Sequence, residues 1–283
     1  MIQTLRTWLI SALTIIFAFV TATPAAQLSA SGIGIVIMHG KGGSPSRYVS
    51  DLASSLEAKG YLVANLEMPW SGRRDYDVDV ETAENEVKSV LEMLRSRGAQ
   101  RLFVAGHSQG ALFALYLGGK RSVDGVIAIA PGGSVNSPVF REKLGESVQL
   151  ARKLIGEGKG GEKTRFLDYE GSRGSYPVIT TPSVYLSWFD PDGAMSLPKA
   201  VKAMDPTIPA LYIVPTGDYP VLLKAKQPMF DSFPSNSLTK LYEPDATHLD
   251  APFASRVEIM RWTMEVTGRA NPALQGIPAS GSP

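Results

Sequence analysis

The sequence predicts an α/β protein: a mostly parallel sheet of about six strands, helices on both faces, and one insertion between the fourth and fifth strands. Short continuous apolar runs alternate with segments of helical period, as expected for strands buried on both faces of a parallel sheet. Glycine or proline closes these runs. The alternation breaks over residues 134–206 and then resumes.

The first strand is the run at residues 33–38, which ends at His39-Gly40. Residues 46–59 have helical spacing through Tyr48, Leu52 and Leu56 and stop at Gly60. A strand at 61–66 leads into Pro69-Trp70-Ser71-Gly72. Residues 80–97 form an amphipathic helix with Ala83, Val87, Val90, Leu91 and Leu94 on one face. A strand at 101–105 is followed by a helix of small and apolar residues at 109–117, and a strand at 123–130 by Pro131-Gly132-Gly133. The insertion holds one helix, 139–155, then Gly-rich and aromatic segments without a clear period. Strands at 210–214 and 238–242 and helices at 221–233 and 254–266 complete the domain, which spans 32–267.

The termini read differently. Arg6, an apolar run over residues 8–20 and small residues from Thr21 to Ala26 have the layout of a secretory signal. Cleavage is expected after Ala22, with Ala26 as the second candidate. The apolar run is shorter than the ~20 residues a bilayer span needs, so the expectation is export to the periplasm or exterior with no stable membrane span. An uncleaved anchor is the alternative. The tail, 268–283, is rich in Pro, Gly, Ala and Ser and is expected to be disordered.

Composition excludes several classes. Lys plus Arg number 28 and Asp plus Glu 27, a balance with no sign of a nucleic-acid partner. The absence of cysteine excludes disulfides, thiolate metal sites and a cysteine nucleophile. No internal repeat is present. No cofactor or metal is expected, since two of the three histidines are engaged in a loop and a turn.

The strongest motif is Gly106-His107-Ser108-Gln109-Gly110, which follows a strand and opens a helix. That context is what a nucleophile elbow requires, with the serine oxygen held above the sheet edge. A serine hydroxyl needs a base to take its proton. His107 lies inside the elbow and His39 ends the first strand, which leaves His248 after the last strand. The carboxylate that orients this base is expected at Asp218, in Pro215-Thr216-Gly217-Asp218. Asp190 and Asp192 lie in the insertion, and Asp245 and Asp250 are too near His248 in the chain to reach behind its ring.

A tetrahedral oxyanion needs backbone N–H donors. One is expected from Gln109. The other is expected from the His39-Gly40-Lys41-Gly42-Gly43 loop, at Lys41 with Gly42 as fallback. This loop lacks the Gly-Lys-Ser/Thr ending and the Gly-x-Gly-x-x-Gly spacing of nucleotide loops.

Through the His39-Gly40 loop, the elbow at Ser108, Asp218 and His248, residues 32–268 resemble the α/β-hydrolase superfamily. The resemblance implies a sheet reduced to six strands from the eight of that fold, and a cap at the insertion. It implies hydrolysis of a small carboxylic ester, less often a thioester or amide, through an acyl-enzyme. Acyl transfer to another acceptor, perhydrolysis, and an idle binding protein on the same fold are the alternatives. Trp70, Tyr185, Trp188 and Phe189, with Tyr176 and Met195, are candidates to line an apolar substrate pocket. The competing reading is that they pack the insertion onto the core. Arg73 or Arg74 is a candidate for the pocket rim, against a default of surface arginine.

Overall fold

The structure is a computed structural model that describes Ala30, residues 32–120 and residues 123–268. The expected signal segment and the tail beyond Gly268 lie outside the described residues. The first half of the chain runs β1 (Ile33–Met38), α1 (Ser50–Glu57), β2 (Leu62–Leu66), α2 (Val80–Ser96), β3 (Arg101–His107), α3 (Gln109–Gly118) and β4 (Gly125–Ile129). The insertion contributes α4 (Pro138–Gly156), a hairpin of β5 (Thr164–Glu170) and β6 (Gly174–Thr180), α5 (Pro182–Phe189) and α6 (Leu197–Lys202). The chain ends with β7 (Ala210–Ile213), α7 (Pro220–Phe230), β8 (Lys240–Tyr242), α8 (Ala251–Ala254) and α9 (Arg256–Val266).

The main sheet has six strands in the order β2-β1-β3-β4-β7-β8, and every neighbouring pair is parallel. The six expected strands are therefore the six observed. Side chains in each central strand alternate between two buried clusters, as the period of two requires. In β1, Val36 and Met38 enter the cluster shared with α2, α3 and the insertion. Ile33, Ile35 and Ile37 enter the cluster shared with α1 and α9. Full burial of all six residues of β1 follows from this two-sided cover.

The strand order reverses between β1 and β3: the chain moves outward to β2, then back past β1. In open α/β sheets, ligands bind beyond the carboxyl ends of the strands at such a switch point. Here those ends are His39-Gly40-Lys41 after β1 and Ser108 after β3.

Two expectations change. The helix expected over 46–59 begins only at Ser50, because Tyr48 takes a left-handed backbone (φ 56°) that breaks the turn before it. The aperiodic part of the insertion contains an antiparallel hairpin, pairing Phe166 with Val178 and Asp168 with Tyr176. Its inward residues are Phe166, Asp168, Val178 and Thr180. A carboxylate and a hydroxyl on the inner face hide the apolar alternation that marks a strand.

Candidate active site

Ser108 sits between β3 and α3 with φ 54° and ψ −115°, a backbone that L-residues adopt only when their surroundings impose it. Sterics explain the flanking glycines. A Cβ on Gly106 would lie 2.1 Å from the Gly110 carbonyl, and one on Gly110 would lie 2.4 Å from the Met38 carbonyl oxygen. The Ser108 N–H is held by Ile129 O at 2.9 Å, and the Gly132 N–H by Ser108 O at 3.2 Å.

Ser108, Asp218 and His248 each follow a strand end, those of β3, β7 and β8, and the last two are paired. His248 Nδ1 donates to Asp218 Oδ1 at 2.7 Å, and the Tyr219 N–H donates to the same oxygen at 2.7 Å. Both Asp218 and His248 are buried. The carboxylate oxygen accepts, so Nδ1 carries the proton of this bond. Among the described residues no hydrogen bond joins Ser108 Oγ to His248 Nε2, a contact that often tightens only with substrate bound. The competing acids lie elsewhere. Asp190 pairs with Arg152, Asp245 accepts from Thr216 and Asp250 from Thr247.

Sequence reasoning set His107 aside, yet the structure gives it a part. Its ring is 4.9 Å from that of His248, and its Nε2 donates to the His248 carbonyl oxygen at 2.8 Å. Burial, with the neighbouring His248 adding to it, pushes the His107 pKa down to about 3. His107 is thus a neutral strut under the His248 loop. The Tyr219 ring, half exposed, covers His248 from outside at 4.7 Å.

The loop after β1 is fixed by His39. Its Nε2 accepts the Met68 N–H at 3.1 Å, so its Nδ1 donates to Gly40 O at 2.7 Å. The Gly43 N–H binds the same carbonyl at 3.1 Å. Desolvation lowers the His39 pKa, which keeps this tautomer. The Gly42 N–H is engaged by Trp70 O at 2.9 Å, so the fallback donor is already used. The Lys41 and Gln109 N–H groups have no backbone acceptor among the described residues. A Cβ on Gly40 would lie 3.2 Å from Ser108 Cβ, which shows how closely this loop passes the serine.

The aromatic candidates are a correction. Trp70, Tyr185, Trp188 and Phe189 are each at most 2% exposed and pack against one another and the sheet. The Trp70 ring meets Trp188 at 5.6 Å and Phe113 at 5.5 Å, and Tyr185 stacks on Phe189 at 4.4 Å. Trp70 Nε1 donates to His39 O and Trp188 Nε1 to Val78 O, so both indoles serve as joints. Phe189 also edges a cavity of about 200 Å³ beside α4, whose lining includes none of Ser108, Asp218 and His248. Met195 is buried too, and the Tyr176 hydroxyl binds Asp168. Arg73 pairs with Glu67, just after β2, and Arg74 with Glu86 and Asp77, so both guanidinium groups are engaged by carboxylates. Among the described residues no group of three His, Asp or Glu is placed to hold a metal ion, and no helix is long and apolar enough to cross a membrane.

Six parallel strands, a strained serine turn at the switch point and a buried Asp–His pair match the α/β-hydrolase fold, which is the fold of this chain. The family profile described as serine aminopeptidase, S33, matches residues 32–166. The esterase EstD of Thermotoga maritima is 24% identical over 210 residues, which cover 68% of this chain and 48% of EstD. The chain thus spans about half the length of this curated relative. Among solved structures, the monoacylglycerol lipase of Paleococcus ferrophilus superposes with a TM-score of 0.56 at 22% identity, covering 82% of this chain and 94% of the lipase. A thermostable carboxyl esterase of Bacillus coagulans gives 0.58 at 15% identity, covering 85% and 90%.

Proposed function

We propose that this chain is a serine hydrolase that cleaves small carboxylic esters through an acyl-enzyme on Ser108. His248 Nε2 takes the Ser108 proton as Oγ attacks the ester carbonyl. Asp218 holds the ring and stabilises the imidazolium that forms. The N–H groups of Gln109 and Lys41 receive the developing oxyanion. His248 then returns its proton to the leaving alcohol, and water repeats the sequence to release the acid. The observation that carries this reading is the buried 2.7 Å bond from His248 Nδ1 to Asp218, at the same sheet edge as the serine turn. The esterase and lipase names of the similar proteins support an ester substrate, beside a family profile named for an aminopeptidase.

The test is labelling of the folded protein with a fluorophosphonate probe. The adduct is expected on the peptide containing Gly106 to Gly110, and Ser108→Ala should abolish both labelling and ester turnover. Labelling elsewhere, or turnover that survives Ser108→Ala, would overturn the reading. Export is the accompanying proposal, supported by the N-terminal pattern. Mass spectrometry of the secreted protein should find a start at Thr23 or Gln27. Full-length protein resisting an alkaline membrane wash would instead show an anchor.

A further inference from the structure

Asp168 is fully buried on the hairpin of the insertion, and each of its oxygens accepts two hydrogen bonds. Oδ1 accepts from Lys41 Nζ at 2.6 Å and from the Tyr169 N–H at 2.6 Å. Oδ2 accepts from the hydroxyls of Tyr176 at 2.8 Å and Tyr76 at 3.0 Å. Since the single Tyr76 proton goes to Asp168, the Tyr76 oxygen accepts its second hydrogen bond, from Gln109 Nε2 at 3.3 Å. One carboxylate of the insertion therefore reaches Lys41 directly and Gln109 through Tyr76, and these are the two residues proposed to donate to the oxyanion.

Resting on the serine-hydrolase reading, we infer that Asp168 is a positioning residue that aligns the oxyanion donors and couples them to the insertion. The Lys41 side chain runs inward with 7% exposure, its ammonium 5.1 Å from the centre of the Phe140 ring and 5.7 Å from that of Phe189. An ammonium in such a place requires its anion. Breaking a buried pair by removing one partner leaves an uncompensated charge that seeks water. Lys41 would then draw its loop outward. The other holds on this loop, at Gly40 O and the Gly42 N–H, fix the peptides on either side of residue 41, and Asp168 fixes its side chain. With all three in place, the planar trans peptide aims the Lys41 N–H away from the anchored Gly40 carbonyl.

The test compares wild type with Asp168→Asn, both titrated to completion with a fluorophosphonate so that turnover is counted per reactive serine. Asp168→Asn is expected to lower kcat per titrated site by roughly 10- to 100-fold, below the ~10²–10³ seen for deleting an oxyanion donor outright. KM should move less than threefold. Affinity for a trifluoromethyl ketone, which forms the tetrahedral adduct, should fall in proportion to kcat/KM, while that for the product carboxylate stays unchanged. A purely structural Asp168 would lower the number of titratable sites and leave kcat per site within threefold of wild type, which would overturn the inference. Should Asp168→Asn fail to fold, Tyr76→Phe and Tyr176→Phe decide. Each removes one bond to Asp168, but only Tyr76 touches Gln109, so Tyr76→Phe should cost more in kcat per site. Equal effects would overturn the inference. If the wild-type protein neither labels nor turns over ester, the functional reading fails before Asp168 is tested.

Discussion

At the residue scale, the serine motif was legible because hard-sphere contacts dictate it: no side chain fits at Gly106 or Gly110 against the neighbouring backbone. Asp218 was legible from its place after a strand. The bond it makes gives a ranking among acids. Asp218→Asn should lose roughly 10²–10⁴ in kcat with substrate binding and fold kept, since an amide presents the wrong hydrogen-bonding partner to Nδ1. Asp190→Asn and Asp245→Asn, whose partners lie at the surface, should each lose less than about tenfold. Steady-state kinetics on a p-nitrophenyl ester checks all three, and a crippled Asp190 or Asp245 variant beside a near-normal Asp218 variant would reassign the acid. Asp168 was not legible: its main partner is 127 residues away in the chain, and a lone Asp in an aromatic stretch carries no local signal of burial.

At the scale of elements, the insertion differs most from what its sequence suggests. Its boundaries show in the broken alternation, and from them one expects a cap that can be removed. Its side chains, however, belong to the same buried cluster as one face of the sheet: Phe140, Phe166, Trp188 and Val201 pack with Val104, Phe113 and Val126. Replacing residues 134–206 with a short linker should therefore expose one face of the core and leave no soluble, cooperatively folding protein. A well-dispersed NMR spectrum from the truncated chain would show the sheet to be self-sufficient. Trp188→Ala tests the same point more gently. It removes a ring that packs on both Trp70 and Phe113 and should cost about 3–5 kcal/mol of stability, while the ratio of turnover on short and long p-nitrophenyl esters stays within about threefold, as expected for a group outside the acting unit. A shift in that ratio without loss of stability would restore the pocket-lining role.

At the scale of the whole molecule, two of the three buried histidines, His107 and His39, tie folding to pH. The unfolded chain titrates His107 near its ordinary 6.5, whereas burial in the fold holds it to about 3. Between those values the unfolded chain binds the extra proton, so stability is fully present above about pH 6.5 and is lost as pH falls toward 3. For His107 alone the loss between pH 7 and pH 5 amounts to about 2 kcal/mol, and His39, also lowered by desolvation, acts in the same direction. Urea unfolding at pH 7 and pH 5 should show this decrement in the wild-type protein. His107→Gln removes the titrating ring while keeping an N–H to reach the His248 carbonyl, so its decrement should shrink by about 2 kcal/mol. Equal decrements in the two proteins would mean that His107 is protonated in the native state at pH 5. Because the same side chain carries the His248 loop, the midpoint of acid unfolding should move to lower pH in His107→Gln, and an unmoved midpoint would separate the strut from the acid sensitivity of the fold.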